Sequence, residues 1–449
     1  MMAEAQVIVR GSRRRDVAAV DFTFSADAVR LGENEYIRQY RLRAWEDYQR
    51  LKIPAASEEA WRRTDLRGVH FDLFQLPQKR TEGVVPAIPE AYLNFGSPGE
   101  SAGQVILYPG GSRQSLQEDL LQKGIVFADL LTAERDYPHI VEKILGRVVR
   151  SDESKFSALA GALSQQGALL YVPAGVVVER PFHSLLWGEG GALAYLSHLL
   201  VYLEDNASVT YIHEAASRAG GDTQSLHAGL VEICVGEGAS LQFVELQSWG
   251  EDVCNFSHER ARIARDGNIH WMLGAVGSGL TKSFMEIELA GEGSSGRMSG
   301  FYFADHRQHL DYDTQQNHLA ARTTSDLLFK GALLGESRTV WQGMIYVAPG
   351  ADKADGYQAN RNLILSGKAR ADSIPGLEIL ADDVRCTHGA TVGKIDQNQV
   401  FYLLSRGITR KEAERLIVEG FFAQLIERIP QEHIRVRFER FVHEKMRNY

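Results

Sequence analysis

A cysteine and a histidine lie two residues apart in the segment VRCTHG, residues 384–389. Because residues i and i+2 of an extended strand point to the same side, Cys386 and His388 are expected to present a thiol and an imidazole together. Both groups bind metals, and a nearby imidazole can lower the pKa of a thiol. Two ligands do not complete a metal or cluster site, so other ligands would have to come from elsewhere, such as a second chain. A buried cysteine beside a hydrogen-bonded histidine has the same spacing, so this structural interpretation stays open.

A second group of possible ligands is more scattered and consists of His306, His309, His318, Asp305, Asp311 and Asp313. The spacing of His306 and His309 places them on opposite sides of a strand, which weakens a metal interpretation. The whole group is therefore predicted to be polar residues of a β-surface.

Two further interpretations concern residues in the same half of the chain. Cys234 and Cys254 lie in or near repeated β-rich segments and are predicted to be core or structural residues. Lys330 and Arg338, together with the aspartates at 311 and 313, would suit a groove of the polysaccharide-lyase kind. Paired acids and bases on strands are commonly solvated surface residues, so this signal is weak.

The composition limits the classes of function. The chain of 449 residues has a formal net charge of −9, which argues against nucleic-acid binding through bulk charge. Its 3 cysteines, without a CxxC pair, cannot form a disulfide framework or hold an iron–sulfur cluster alone, and they favour a reducing compartment. No GxxxxGK(S/T), HExxH or GxSxG motif is present. We therefore predict a scaffold or assembly subunit that is not an enzyme.

Neither a membrane segment nor a secretory signal is apparent. The longest apolar stretch, near residues 168–178, is interrupted by Pro173 and Gly175 and is far shorter than the roughly 20 apolar residues of a membrane span. The arginines near the N-terminus are not followed by an apolar region. We expect a cytoplasmic protein that does not bind membranes.

Three regions differ in their sequence pattern. Residues 1–165 are mixed and partly helical, and the recurrence of Tyr36, Tyr40, Ala44 and Tyr48 every four residues predicts one face of a helix. Residues 166–393 contain short β-rich runs separated by turn residues, and residues 394–449 are helical again. The pattern predicts a mainly β core between two regions that contain helices.

The β-rich region repeats. Turn-like positions at Asn206, Gly238 and Gly267 follow one another after 32 and 29 residues, and no helix-length segment interrupts them. A repeat of this length predicts a β-solenoid, in which each coil buries a face of its neighbour. An evenly stranded β-sandwich is the competing fold.

The C-terminal region contains a helix that is apolar on two sides. Thr409 and Glu412 have the spacing of a capping box, and Pro430 ends the helix. Such a helix is either enclosed in a core or covered by a partner, and the pattern alone favours the core.

Several segments resemble the SufB/SufD family of iron–sulfur cluster assembly proteins. EILADDVRCTHGATVG at 378–393 resembles the family's signature, and FYLLSRGI at 401–408 with the helix at 412–421 resembles its C-terminal segment. EAWRRTD at 59–65 is similar to its N-terminal helical motif. The CTHG string and the lack of a cysteine-rich N-terminal segment resemble the SufD branch more than the SufB branch.

The resemblance implies a right-handed parallel β-helix core flanked by an N-terminal α/β region and C-terminal helices. It also implies a complex in which this chain pairs with SufB through the β-helix ends and receives the ATPase SufC on its C-terminal helices. Cys386 and His388 would lie at the SufB interface and share a transient iron–sulfur cluster with the partner, with no stable cofactor in the isolated chain. The implied contact with the ATPase comprises Leu416, Ile417, Phe421, Phe422 and Leu425.

Other interpretations stay open at this point. A SufB-type paralogue is the nearest alternative. A β-solenoid carbohydrate-active enzyme would turn over acidic polysaccharide as an isolated chain, and a stand-alone metal-binding protein would carry stoichiometric metal as a monomer. The isolated chain is also a candidate for a homodimer through the SufB-facing surface.

Overall fold

The computed structural model describes residues 20–78, 85–93, 101–218, 221–429 and 432–447. The first part of the described chain combines helices with three short strands. In chain order these elements are α1 (Glu35–Arg50), α2 (Glu90–Leu93), β1 (Gly103–Tyr108), β2 (Gly111–Leu116), α3 (Glu118–Gln122), β3 (Val126–Asp129), α4 (Leu130–Asp136), α5 (Pro138–Val141) and α6 (Lys155–Leu163). Short 3₁₀ helices occur at Ala26–Ala28, Glu59–Trp61, Phe71–Leu73 and Ser151–Glu153.

The centre of the molecule is a stack of strands that pass alternately between two sheets. These strands are β4 (Gln166–Val172), β5 (Phe182–Gly188), β6 (Ala194–Leu203), β7 (Ser208–Ser217), β8 (Ser225–Val235), β9 (Ser240–Ser248), β10 (Val253–Ile263), β11 (Asn268–Ala275), β12 (Leu280–Leu289), β13 (Ser295–Ala304), β14 (His309–His318), β15 (Thr324–Leu333), β16 (Arg338–Val347), β17 (Asp355–Ile364), β18 (Arg370–Ile379) and β19 (Arg385–Lys394). From β4 onward, odd-numbered strands form one sheet, the odd sheet, and even-numbered strands form the even sheet. β1 and β2 extend the odd sheet and β3 extends the even sheet, so the N-terminal region contributes to the solenoid.

From β4 onward, neighbouring strands in each sheet are parallel and come from successive coils. Ser208 is in register with Ser240, and Ser240 with Asn268, so these coils take 32 and 28 residues. The arrangement confirms a parallel β-solenoid of about eight coils. It excludes the β-sandwich, whose neighbouring strands are antiparallel. The right hand of the solenoid stays a prediction.

Side chains that point between the two sheets repeat from coil to coil. One row in register consists of Phe243, Trp271, Met298 and Leu327. All four are buried. Because the side chains of a strand alternate between its faces, such rows bury one coil against the next and define which positions face the interior.

The N-terminal region packs on the outer face of the even sheet. α1 packs against α6, and α6 contacts β6, β8 and β10. Trp61 lies between Phe156 of α6 and Phe284 of β12, with ring centroids 5.5 and 5.8 Å away. Arg63 reaches further and donates a hydrogen bond to Oε1 of Gln342 on β16 at 2.9 Å. The motif at 59–65 thus connects the N-terminal helices to the later coils.

The C-terminal helices are α7 (Gln397–Ser405), α8 (Arg410–Ile426) and α9 (Glu432–Arg447). Thr409 caps α8, because its hydroxyl accepts a hydrogen bond from the backbone N–H of Glu412. Among the described residues the other half of the predicted capping box is absent, because the Glu412 carboxylate pairs with Arg415. Phe422 packs on Phe301 and Phe303 of β13, with ring centroids 5.3 and 6.2 Å away, so α8 covers the outer face of the odd sheet. Within the described ranges, no helix has both the length and the apolar character needed to cross a membrane.

Candidate functional site

The last coil of the solenoid, formed by β18 and β19, is uncovered at one edge. Within the described residues β18 pairs only with β16, and β19 only with β17, so one edge of each strand has no strand partner. Side chains of these two strands are mostly exposed or half-buried, whereas those of earlier coils are mostly buried. Unpaired strand edges of this kind can pair with another chain.

Cys386 and His388 lie on β19 and face the interior side of this last coil. Cys386 is in register with Gly356, and His388 is in register with Gln358, which continues the row that contains Leu327. In every earlier coil this row is buried, but at His388 no further coil covers it, and the imidazole is exposed. The side chain of His388 makes no hydrogen bond or ion pair with any described residue. The thiol and the imidazole therefore share one face, with room for a ligand from outside.

A second histidine, absent from the sequence motif, lies near the thiol. An ideal Cβ on Gly356 would lie 3.2 Å from Nε2 of His318 and 3.3 Å from Sγ of Cys386. His318 ends β14 in the even sheet, 68 positions before Cys386 in the chain. Only the solenoid winding brings the two residues together, and the glycine leaves the space between them open. The alternation of side chains along β14 places His318 on the interior face of the strand, and this sequence signal could have found it.

The titration behaviour of these groups differs from the prediction. Burial raises the pKa of the Cys386 thiol, and a backbone hydrogen bond at Gly356 only partly offsets this. Burial lowers the pKa of His318 to about 4, so its imidazole is neutral at physiological pH. Its two nitrogens lie 2.7 and 2.8 Å from the hydroxyls of Thr323 and Ser325. The expected lowering of the thiol pKa is therefore wrong for the isolated chain, and metal binding at Cys386 has to displace a proton.

Cys386 also has an apolar side. It packs against a small buried group that consists of Ile345, Val347, Ala351 and Ala354. This packing fixes the thiol at the rim of the core, half-buried beside the exposed imidazole.

The other predicted ligands do not form one site. His306 is exposed, and its Nδ1 lies 2.9 Å from Oε1 of Glu251. His309 lies 3.1 Å from the hydroxyl of Thr64, and burial lowers its pKa to about 4. The prediction of polar surface residues is wrong for His318, which is buried inside the solenoid, and also for Asp305 and Asp311, which are buried. The winding of the coils therefore places His306, His309 and His318 in different surroundings.

The lyase-type groove is not assembled. Lys330 lies on the odd sheet and donates a hydrogen bond to the backbone oxygen of Phe421 at 2.7 Å. Asp311 and Asp313 lie on the even sheet, where both pair with Lys282 at 3.0 and 2.8 Å. Lys330 and the two acids proposed to act together therefore lie on different sheets, whereas Arg338, on β16, shares the even sheet with the acids.

The other two cysteines do not have reactive thiols. Cys254 is buried and Cys234 is half-buried, and burial raises the pKa of each thiol to about 12. Both side chains therefore remain protonated thiols at neutral pH.

The residues predicted to contact an ATPase divide into two groups. Phe422 and Leu425 are buried in the chain's own core, so they cannot form an outer contact surface, and this part of the prediction is wrong. Leu416 is 38% exposed, and Ile417 and Phe421 are half-buried. The two apolar sides of α8 thus have different uses, one facing the odd sheet and one partly facing solvent.

The neighbouring helix α7 exposes more apolar surface than α8. Phe401 is 70% exposed and Tyr402 is 56% exposed. Single exposed apolar residues are ordinary, but two adjacent aromatic side chains on one short helix indicate a binding surface. The sequence FYLL at residues 401–404 already contains these apolar side chains, but the predicted contact with the ATPase was confined to α8.

A small cavity of about 30 Å³ lies inside the first half of the solenoid. The polar residues of its lining are Ser197, His213, His227, Glu245, Gln247, Asn255, Ser257 and Glu259. The carboxyls of Glu245 and Glu259 both line this cavity and influence each other's pKa. Burial raises the pKa of both carboxyls, and repulsion from Glu259 raises that of Glu245 further. This pair is a buried acid that the sequence pattern did not reveal.

The fold and the site define a class: a two-sheet parallel β-solenoid with helices on both flanks and a thiol–imidazole pair on an open last coil. Residues 186–421 match the family model described as SUF system FeS cluster assembly, SufBD core domain. Residues 21–183 match the model described as SufBD protein N-terminal region. The chain belongs to the SufBD family of the SUF iron–sulfur cluster assembly system.

Individual relatives agree with this assignment. The chain is 33% identical over 335 residues to the iron–sulfur cluster assembly protein SufD of Bacillus subtilis (strain 168), which covers 74% of this chain and 76% of that protein. It is 29% identical over 416 residues to SufB of the same strain, covering 89% of this chain and 87% of that protein. A SufBD family protein of Staphylococcus saprophyticus is 28% identical over 89% of this chain and 87% of its own. The family resemblance of the sequence motifs is thereby confirmed.

Proposed function

We propose that this chain is a SufD-type scaffold subunit of the SUF system, which pairs with SufB and binds the ATPase SufC. The observation that carries the proposal is the position of Cys386 and His388 on an uncovered last coil that faces the solenoid interior. A partner solenoid that docks on this coil would cover the pair and supply further ligands. We place the assembly in the cytoplasm, which suits three free cysteines.

The iron–sulfur cluster is the cargo of this site. Cys386 and His388 offer one sulfur and one nitrogen ligand, and a cluster needs more than the two donors found here. The half-buried, protonated thiol suits transient ligation, because the proton returns when the cluster leaves. We therefore expect no stable cofactor in the isolated chain and no enzymatic turnover by it.

The ATPase contact is proposed on the exposed part of the C-terminal helices. Leu416, Ile417 and Phe421 remain candidates on α8, and Phe401 and Tyr402 of α7 join them. α7 packs on α8, so the two helices form one unit that can receive a partner. The buried side of α8 packs on β13, which suits transfer of a movement from the ATPase to the solenoid.

The test is co-expression of this chain with SufB and SufC, followed by size analysis and measurement of iron and sulfide in the purified complex. The Cys386→Ser and His388→Ala variants should form the complex but lose cluster content or cluster delivery. Cys234→Ser is the matched control, because its thiol lies far from the open coil in the register of strands. Full cluster content and delivery in both variants would contradict the role of this site.

A SufB-type role is the second candidate, because the alignment with a SufB protein covers 89% of this chain, more than the 74% covered by the alignment with SufD. Expression of this chain in strains that lack SufB or SufD separates the two. Restored growth in the strain without SufD alone supports the proposal, and restored growth in the strain without SufB alone favours the alternative.

A further inference from the structure

Three arginines from different parts of the chain converge on one groove at the open end of the solenoid. The groove has a volume of about 560 Å³ and lies at the last coil, lined by residues of β18 in the even sheet and β19 in the odd sheet. Arg63 comes from the N-terminal motif, Arg338 from β16 and Arg370 from β18. The remaining lining residues are Ala371, Asp372, Ser373, Ile374, Ala390 and Val392.

The guanidinium groups are held in place by hydrogen bonds. Arg338 and Arg370 each lie 2.9 Å from a different carboxylate oxygen of Asp372. Arg63 is fixed by its bond to Gln342 at 2.9 Å. Burial raises the pKa of Asp372, but the bonds from the two arginines outweigh this and hold it below its ordinary value. Asp372 is thus an ionised carboxylate that orients two arginines.

The groove has a surplus of positive charge. Its lining contains three guanidinium groups and one carboxylate, and Arg63 also pairs with Glu59 at 3.2 Å outside the lining, whereas the chain as a whole has a net charge of −9. Nε of Arg338 and Oγ of Ser373 are buried and have no hydrogen-bond partner among the described residues. Buried polar atoms without partners are unfavourable, so a ligand that brings acceptor oxygens would stabilise this arrangement.

The shape of the groove suits a strand rather than a free ion. Its floor is made of small or apolar side chains, including Ala371, Ala390 and Val392, which leave space for a backbone. β18 also presents an edge without a strand partner beside these residues. An extended segment can pair with that edge while a carboxylate side chain reaches the arginines, which bind carboxylates through two parallel hydrogen bonds.

We propose that this arginine groove receives a carboxylate-bearing strand of the chain that docks on the open coil, and so selects and orients that partner. The inference rests on the proposed function, since it concerns the same docking event. It adds that the docking end of the partner is acidic opposite Arg338 and Arg370. The thiol–imidazole pair on β19 and the arginines beside β18 then both contact the partner.

Charge reversal tests the inference. Arg370→Glu should weaken binding of the SufB-type partner by roughly tenfold or more, and Arg370→Ala should do so less. Arg262→Glu is the matched control, because Arg262 is also an exposed, ion-paired arginine of the even sheet but lies on β10, away from the open coil. Wild-type affinity should fall with salt more steeply than that of Arg370→Ala. Equal affinities of Arg370→Glu, Arg262→Glu and wild type for the SufB-type partner would contradict the proposed role of the groove.

A zero-length cross-link gives an independent readout. The Arg370→Lys variant, combined with Asp372→Asn so that the neighbouring carboxylate cannot react, keeps the charge at position 370 and supplies an amine, which carbodiimide joins only to a carboxyl in direct contact. Mass spectrometry should find position 370 joined to an Asp or Glu of the partner. Pairing without any such interchain link would overturn the inference and leave the proposed function intact. Absence of pairing by the wild-type chain would contradict the proposed function itself, and the inference with it.

Discussion

The imidazole of His318 and the thiol of Cys386 face each other across Gly356, which lies in register with Cys386 on the neighbouring strand. A side chain at position 356 would contact both groups, at 3.2 and 3.3 Å from its Cβ. The glycine is therefore a spacer that lets a buried histidine and a rim cysteine approach. The winding of the coils brings the three residues together, because they lie on three different strands.

Gly356→Ala should disturb this spacing. Its Cβ would press on His318, Ile345 and Cys386, so we expect a loss of about 1 kcal/mol in the free energy of unfolding and faster modification of Cys386 by maleimide. Gly389→Ala is the control. Gly389 lies on the coil that carries Cys386, and nothing lies within 4 Å of a Cβ built at this position. Unchanged stability and unchanged thiol reactivity in Gly356→Ala would show that the space is not tight.

The thiol of Cys386 should react slowly at neutral pH. Because burial raises its pKa above the ordinary thiol value, the rate of alkylation should continue to rise above about pH 10, where the rate of an unperturbed cysteine has levelled off. The measurement is the iodoacetamide rate against pH for a chain with Cys234→Ser and Cys254→Ser. A profile that levels off below pH 8 would indicate an activated thiolate and contradict the raised pKa.

Glu245→Gln should make the solenoid more stable at alkaline pH. Both carboxyls of the pair have raised pKa values in the folded chain, so the stability that they contribute is complete below about pH 4 and is lost as the pH rises through the folded pKa. The variant removes the repulsion between two carboxylates. Its free energy of unfolding relative to wild type should therefore increase by about 1 kcal/mol or more between pH 5 and pH 8.

The exposed Glu237 provides the control for the pair. Glu237 lies in the loop before β9, and the free energy of unfolding of Glu237→Gln should show the same pH dependence as that of the wild type. Parallel stability curves for Glu245→Gln and wild type across this range would mean that the pair loses no proton while folded.

The two sides of α8 should separate stability from binding. Phe422→Ala removes a buried ring from β13 and should lower the free energy of unfolding by about 3–5 kcal/mol. Leu416→Asp changes a partly exposed residue and should leave urea denaturation almost unchanged while reducing co-purification of the ATPase. Normal co-purification with Leu416→Asp would remove this face from the proposed contact, and the Phe401→Asp variant would then test α7 alone.

Sequence periodicity was sufficient for the general fold because each solenoid coil repeats a local pattern. The turn at Gly238 and the cap at Thr409 depend on nearby residues only, so both were predictable. The pairing of Cys386 with His388 followed from strand alternation. The approach of His318, the Glu245–Glu259 pair and the Arg63 contact depend on which coil stacks on which, and this register is a property of long-range packing.

The same limit explains the error on α8. A helix with apolar residues on two sides shows no sign in sequence of which side meets the sheet. The rings of β13 settle this for Phe422, and the position of α8 over the odd sheet leaves Leu416 outside. Pattern analysis detected the surplus of apolar surface, and only packing divided it into an inner and an outer part.

An open stack of parallel strands could in principle add copies of itself without end and grow into a fibre. Two features of the last coil oppose this growth. Pro375 lies within β18 and cannot donate a backbone hydrogen bond to an incoming strand at that point, and prolines of this kind are confined to edge strands. Arg370, Arg385 and Lys394 add positive charges to the two final strands. The proline and the charged side chains at this edge therefore disfavour endless stacking of identical chains.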